Sequence, residues 1–174
     1  VLVASGPFKP GYYKRLQETR MGRLSPAERA EFEEVVRRLN DPACTTKDED
    51  LARLGALSAK SDDFDPLPWE TRAEDEVPCD GARFQGVWAA AAEMRRTGEL
   101  MERVWRIRCP MVAIHGAYDP HPAEGVRKPL SAALPTLRFV LLERCGHAPW
   151  LERHAREAFY EALEGALDEG PRFR

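Results

Sequence analysis

The stretch "FVLLERCGHAPWLE", residues 139–152, joins a continuous apolar run to a Gly-His-Pro corner. Two other runs have the same character, "VLVA" at 1–4 and "MVAI" at 111–114. None of the three alternates with polar residues, which is typical of short strands covered on both faces, as in a parallel sheet. The sequence therefore predicts an α/β fold in which His147 lies just beyond the end of a buried strand.

Helical segments follow both of the later runs. "PAEGVRKPLSAAL" (122–134) has room for one helix, and "LERHAREAFYEALEGAL" (151–167) places Leu151, Phe159 and Leu163 on one face of another. We expect Trp150 and Glu152 to anchor the start of this last helix, where an acidic side chain is favourable. The order strand, helix, strand, helix predicts right-handed βαβ units with helices on both faces of the sheet.

The roughly one hundred residues between the first two runs are predicted to be mainly helical. In "SPAERAEFEEVVRRL" (25–39), Ser25 is a good N-cap, Pro26 suits the first helical position and Glu28 completes a capping box. Amphipathic or helical patterns recur at 45–60, 84–96 and 99–105, with a Pro-rich acidic loop at 63–81. We expect three segments: a core strand with its loop (1–8), a helical insertion (9–104) and a C-terminal core of two strands and two helices (105–174).

The bulk composition excludes several classes of function. The 174 residues carry a formal net charge of -3 with acids and bases interspersed, whereas a nucleic-acid-binding face needs concentrated positive charge. No apolar run approaches the length of a membrane span, and no signal peptide is visible. The four cysteines have no C-x-x-C spacing, so we expect reduced thiols in a cytoplasmic protein.

Two strand-end loops carry the candidate chemistry. Asp119 follows the second run in "HGAYDPHP" (115–122), and His147 follows the third. In open α/β sheets functional groups gather at the carboxyl ends of the strands, and a carboxylate there can hold an imidazole in the tautomer that a general base requires. An alternative treats His115, Asp119 and His121 as ligands of a metal-dependent hydrolase, since all three are ligand types.

The segments "IRCPMVAIHGAYDPHPAEGV" (107–126) and "LPTLRFVLLERCGHAPWLE" (134–152) resemble the C-terminal half of α/β-hydrolase-fold enzymes. The resemblance implies that Asp119 is the acid and His147 the base of a catalytic triad, and that the helical insertion is a cap over the active site. It implies hydrolysis of an ester, amide or peptide-type bond in a small-molecule substrate, with an aminopeptidase-like activity as one form. It implies no metal or cofactor. Trp69, Phe84 and Trp88 are then candidate substrate-pocket residues.

The nucleophile of that family, a serine in G-x-S-x-G, has no counterpart among the five serines. Ser5 in "VASGP" comes closest, but Val3 replaces the first glycine and Pro7 and Pro10 oppose an immediate helix. We therefore expect a portion of a serine hydrolase that is inactive alone. The apolar edge at residues 1–4 is expected to self-associate. Alternatively, the chain is a non-catalytic module whose edge strand docks a partner that supplies the missing half.

Overall fold

The computed structural model describes residues 1–68 and 80–168. Its strands are β1 (Leu2–Val3), β2 (Val112–Gly116) and β3 (Arg138–Leu142), which form one parallel sheet in the order β1-β2-β3. Ala113 of β2 is the register partner of Leu2 on one side and Phe139 on the other. The three apolar runs are thus strands, and the predicted α/β class with parallel strands is confirmed.

Seven α-helices surround this sheet in the described residues. They are α1 (Tyr13–Arg23), α2 (Pro26–Leu39), α3 (Lys47–Asp62), α4 (Gly81–Thr97), α5 (Glu99–Val104), α6 (Ala123–Ala133) and α7 (Arg156–Asp168). Short 3-10 turns cover Pro10–Tyr12 and Pro149–Leu151. None of the helices in the described ranges is long and apolar enough to cross a lipid bilayer.

The strands bury side chains on both faces, as their unbroken apolar runs require. On one face, Ala113 packs with Val104 of α5 and with Val126 and Leu130 of α6. On the other face, Ile114 packs with Phe159 of α7. Successive residues of β2 therefore point into two separate cores, one under α5 and α6 and one under α7.

The helices between β1 and β2 form a layer with its own apolar contacts. Ser25 caps α2 by a reciprocal capping box, in which its hydroxyl accepts from the Glu28 amide and the Glu28 carboxylate accepts from the Ser25 amide. Phe32 of α2 packs against Leu57 of α3 and Leu24, which precedes the cap. The predicted start of α2 is confirmed.

The start of the last helix differs from the sequence prediction. The α7 helix begins at Arg156, five residues after Leu151, because Pro149 opens a separate 3-10 turn that includes Trp150. The side chain of Glu152 does not serve the helix start either. It is fully buried and accepts hydrogen bonds from the backbone of other loops.

Candidate functional site

Two glycines allow the loops after β2 and β3 to lie against each other. A Cβ atom on Gly116 would lie 2.2 Å from the carbonyl oxygen of Gly146, and a Cβ on Gly146 would lie 2.1 Å from that of Asp62. Only glycine tolerates backbone at these distances. The amides of Ala117 and Tyr118 complete the junction by donating to the carbonyls of Leu142 and Cys145, at 2.8 Å each.

This junction brings the two predicted site residues together. Nδ1 of His147 lies 2.8 Å from Oδ2 of Asp119, across 28 residues of sequence. The side chain of Asp119 is completely buried, whereas that of His147 is 39% exposed. With Nδ1 donating to the carboxylate, Nε2 of His147 is the nitrogen left for chemistry, and it makes no hydrogen bond within residues 1–68 and 80–168.

The electrostatics favour charge separation between the two groups. Burial opposes ionisation of Asp119, but hydrogen bonds from His121 and His147 outweigh it and hold the pKa of the carboxyl well below its usual range. Burial likewise opposes protonation of His147, but the Asp119 hydrogen bond and charge outweigh it and raise the pKa of the imidazole. Asp119 therefore stays ionised and stabilises a proton held on His147.

A second histidine shares the same carboxylate. Nδ1 of His121 lies 2.7 Å from Oδ1 of Asp119, and the His121 amide donates to that oxygen at 2.9 Å. The rings of His121 and His147 stack with centroids 4.6 Å apart and an interplanar angle of 29°. Asp119 thus has one oxygen for each histidine.

His115 takes a different position from the one that the metal-ligand alternative requires. Its Nε2 lies 2.8 Å from the His121 carbonyl oxygen and 3.7 Å from Oδ2 of Asp119, and its Nδ1 is buried with no hydrogen-bond partner among the residues that the structure describes. Burial lowers the pKa of this imidazole. The group that could hold a metal in the described residues is Asp119, His121 and His147, so His147 replaces His115 in the predicted trio.

The helical layer contacts the base-bearing loop directly. The His147 amide donates to the Asp62 carbonyl, at the end of α3, at 2.9 Å. The Glu152 carboxylate accepts from the amides of Gly146, Phe64 and Asp65 at 2.7, 2.7 and 2.8 Å. These four hydrogen bonds fix the loop that carries His147 against residues 62–65.

The exposed side of His147 faces a cavity of about 570 Å³ between the helical layer and the strand ends. His121 also lines this cavity, as do Phe84 and Trp88 of α4. Further apolar lining residues come from α1, α2 and α3: Leu16, Phe32, Val36, Leu51 and Leu54. Two of the predicted pocket residues therefore share a cavity with His147, while Trp69 lies outside the described residues.

The charged residues of this cavity neutralise each other. Arg20 of α1 donates two hydrogen bonds to Asp62, from Nε at 2.9 Å and from Nη2 at 2.5 Å. Both side chains are largely buried. The cavity therefore combines an apolar lining with the Arg20–Asp62 ion pair and the imidazoles of His121 and His147.

The described residues hold no activated nucleophile beside His147. The Ser5 hydroxyl donates to the Gly6 carbonyl, and Ser61 donates within α3. Ser58 lines the cavity but has no hydrogen bond to His147. Burial, followed by the nearby Glu152 charge, raises the pKa of Cys145 to about 12, so this thiol is not a ready thiolate.

Comparison with family models, curated proteins and solved structures finds no match to the chain. The site is therefore defined by its own geometry. Sequence reasoning found Asp119 and His147, assigned His121 only to the metal-ligand alternative with His115, and misplaced the side chain of Glu152. The contacts of His121 with His147 and of Glu152 with residues 64–65 join segments that are distant in sequence.

Proposed function

We propose that this chain provides the acid and base of a serine hydrolase with the α/β-hydrolase fold, and that the nucleophile comes from outside the described residues. The observation that carries the proposal is the 2.8 Å contact between His147 Nδ1 and buried Asp119, with the rest of the imidazole open to a cavity. This is the orientation in which a carboxylate fixes the tautomer of a general base.

In the proposed reaction, Nε2 of His147 takes the proton of a serine hydroxyl as its oxygen attacks the substrate carbonyl. The resulting imidazolium is stabilised by Asp119, which stays ionised. His147 then returns the proton to the leaving group, and a water molecule repeats the sequence to release the acid. No metal or organic cofactor takes part in these steps.

The helices from α1 to α4 act as the cap in this proposal. Their apolar side chains, with Phe84 and Trp88, favour a small substrate whose group next to the scissile ester, amide or peptide-type bond is uncharged and apolar. The ion pair between Arg20 and Asp62 leaves no free charge of its own for an ionic substrate group. A cytoplasmic location remains a prediction from the sequence.

The test uses the protein as isolated from its source and a p-nitrophenyl ester with an apolar acyl group. We expect His147→Gln to lower kcat/KM by about 10⁶-fold and Asp119→Asn by about 10⁴-fold. His154→Gln is the matched control, because His154 lies outside the cavity lining and pairs with Asp65. Equal activity of all three variants would refute the proposal.

The edge of the sheet favours a second candidate function, a complementing module that docks a partner chain. In the described residues β1 pairs with β2 alone, so its outer backbone edge is open. An open edge is a template for a strand from another chain. A partner that binds through residues 1–4 and restores esterase activity would support this candidate. Loss of that binding in a Leu2→Pro variant would show that the partner contacts β1.

A further inference from the structure

We propose that His121, His147 and Asp119 form a binding site for a zinc ion, and that the bound ion blocks His147 as a base. One nitrogen from each imidazole and one carboxylate oxygen all lie within 4.8 Å of one another. Ligands held by one zinc ion at about 2.1 Å lie at most about 4.2 Å apart. Coordination of one ion therefore requires side-chain rotations that bring the three atoms closer together.

The chemistry of the three groups suits zinc. Two imidazoles and one carboxylate are the protein ligand set of open zinc sites, in which water or substrate takes the fourth position. The carboxylate of Asp119 already faces one nitrogen of each imidazole, at 2.7 Å for His121 and 2.8 Å for His147. The site also has an entry path, since both imidazoles line the cavity of about 570 Å³.

The three residues are held close to one another before an ion arrives. The His121 amide holds Oδ1 of Asp119 at 2.9 Å, and the ring stacking at 4.6 Å holds the two imidazoles side by side. The His147 amide is anchored on the Asp62 carbonyl at 2.9 Å. Preorganised ligands lose little conformational entropy on binding, so the free energy of coordination is mostly retained.

The zinc site itself does not depend on serine chemistry, but its consequence for catalysis rests on the proposed function. A histidine bound to zinc has no lone pair with which to take a serine proton. Occupancy by zinc and action as a general base are therefore mutually exclusive at His147. The site would make hydrolysis sensitive to free zinc, and a chelator would restore it.

Calorimetric titration of metal-free protein with ZnCl₂ tests the site without any need for activity. We expect one ion per chain for the unsubstituted protein, and affinity at least about tenfold weaker for His121→Phe and for His147→Phe. Phenylalanine at position 121 keeps a ring for stacking and removes the nitrogens. His154→Phe is the matched control and should bind as the unsubstituted protein does. Circular dichroism checks the fold of each variant.

Nuclear magnetic resonance (NMR) of the imidazole rings locates the ion. Zinc should shift the ring signals of His121 and His147 and leave those of His154 unchanged. The zinc site would be overturned by an absence of binding, by His121→Phe and His147→Phe variants that bind zinc as tightly as the unsubstituted protein, or by loss of binding when the thiols are alkylated. If zinc binds but His147→Gln leaves hydrolysis of the ester unchanged, the site stands and the proposed function falls.

Discussion

Replacing Glu152 with alanine should destabilise the protein strongly. The carboxylate accepts hydrogen bonds from three backbone amides, those of Gly146, Phe64 and Asp65, and no solvent reaches its side chain. Alanine removes both acceptor oxygens and therefore all three hydrogen bonds at once. A buried donor left without a partner costs about 1–3 kcal/mol.

The expected loss in the free energy of unfolding is smaller than three full penalties, for two reasons. The amide of Gly146 is buried, but those of Phe64 and Asp65 are only partly buried and regain water when the carboxylate is removed. The variant also no longer has a charge to desolvate. We expect a loss of about 3–5 kcal/mol in the free energy of unfolding, out of the 5–15 kcal/mol that is usual for a domain.

Urea unfolding followed by circular dichroism measures this loss. Glu152→Gln keeps one acceptor oxygen and should fall between the alanine variant and the unsubstituted protein. Glu157→Ala is the matched control, because Glu157 is exposed in the first turn of α7, and should change stability by less than about 0.5 kcal/mol. Amide exchange should accelerate at Gly146, Phe64 and Asp65. A loss below about 1 kcal/mol in the free energy of unfolding, with unchanged amide exchange, would show that the Glu152 carboxylate does not stabilise these three amides.

Three further predictions follow from the site and the sheet edge. In metal-free protein, NMR titration should place the pKa of His147 above its ordinary value. In Asp119→Asn the pKa of His147 should fall below that value, because burial then acts without the carboxylate. An unchanged pKa of His147 in this variant would show that Asp119 is not the cause. Gly146→Ala should unfold at lower urea than Gly55→Ala, because a Cβ meets backbone 2.1 Å away at Gly146 and nothing within 4 Å at Gly55; equal midpoints would contradict the packing. Light scattering at high concentration should detect association through residues 1–4 that Val3→Lys abolishes, and a monomer throughout would count against an exposed adhesive edge.

The sheet was predictable from sequence because buried strands leave a local signal. "MVAI" and "FVLL" are unbroken apolar runs, and the structure gives each a core on both faces. The cap of α2 was predictable for the same reason, since Ser25, Pro26 and Glu28 act within one turn. Strands and a helix start were therefore predicted correctly where a short local pattern has one physical interpretation.

The parts that were missed depend on contacts between distant segments. Glu152 looked like a helix-start acid, and its real partners at 64–65 lie nearly ninety residues away in sequence. His115 and His121 looked equivalent as ligands, and only the fold directs His115 to a backbone carbonyl and stacks His121 on His147. Sequence spacing gave no means of telling them apart.

Labelling with a fluorophosphonate, which reacts with serines activated by a histidine base, tests whether His147 is the base of a serine hydrolase. The tagged chain and its variants would be expressed in the source cells and isolated under native conditions with whatever polypeptide accompanies them. We expect one labelled serine in the isolated material. Labelling should be lost in His147→Gln, strongly reduced in Asp119→Asn and retained in His154→Gln. Absence of any labelled serine, or labelling that persists without His147, would contradict this role of His147.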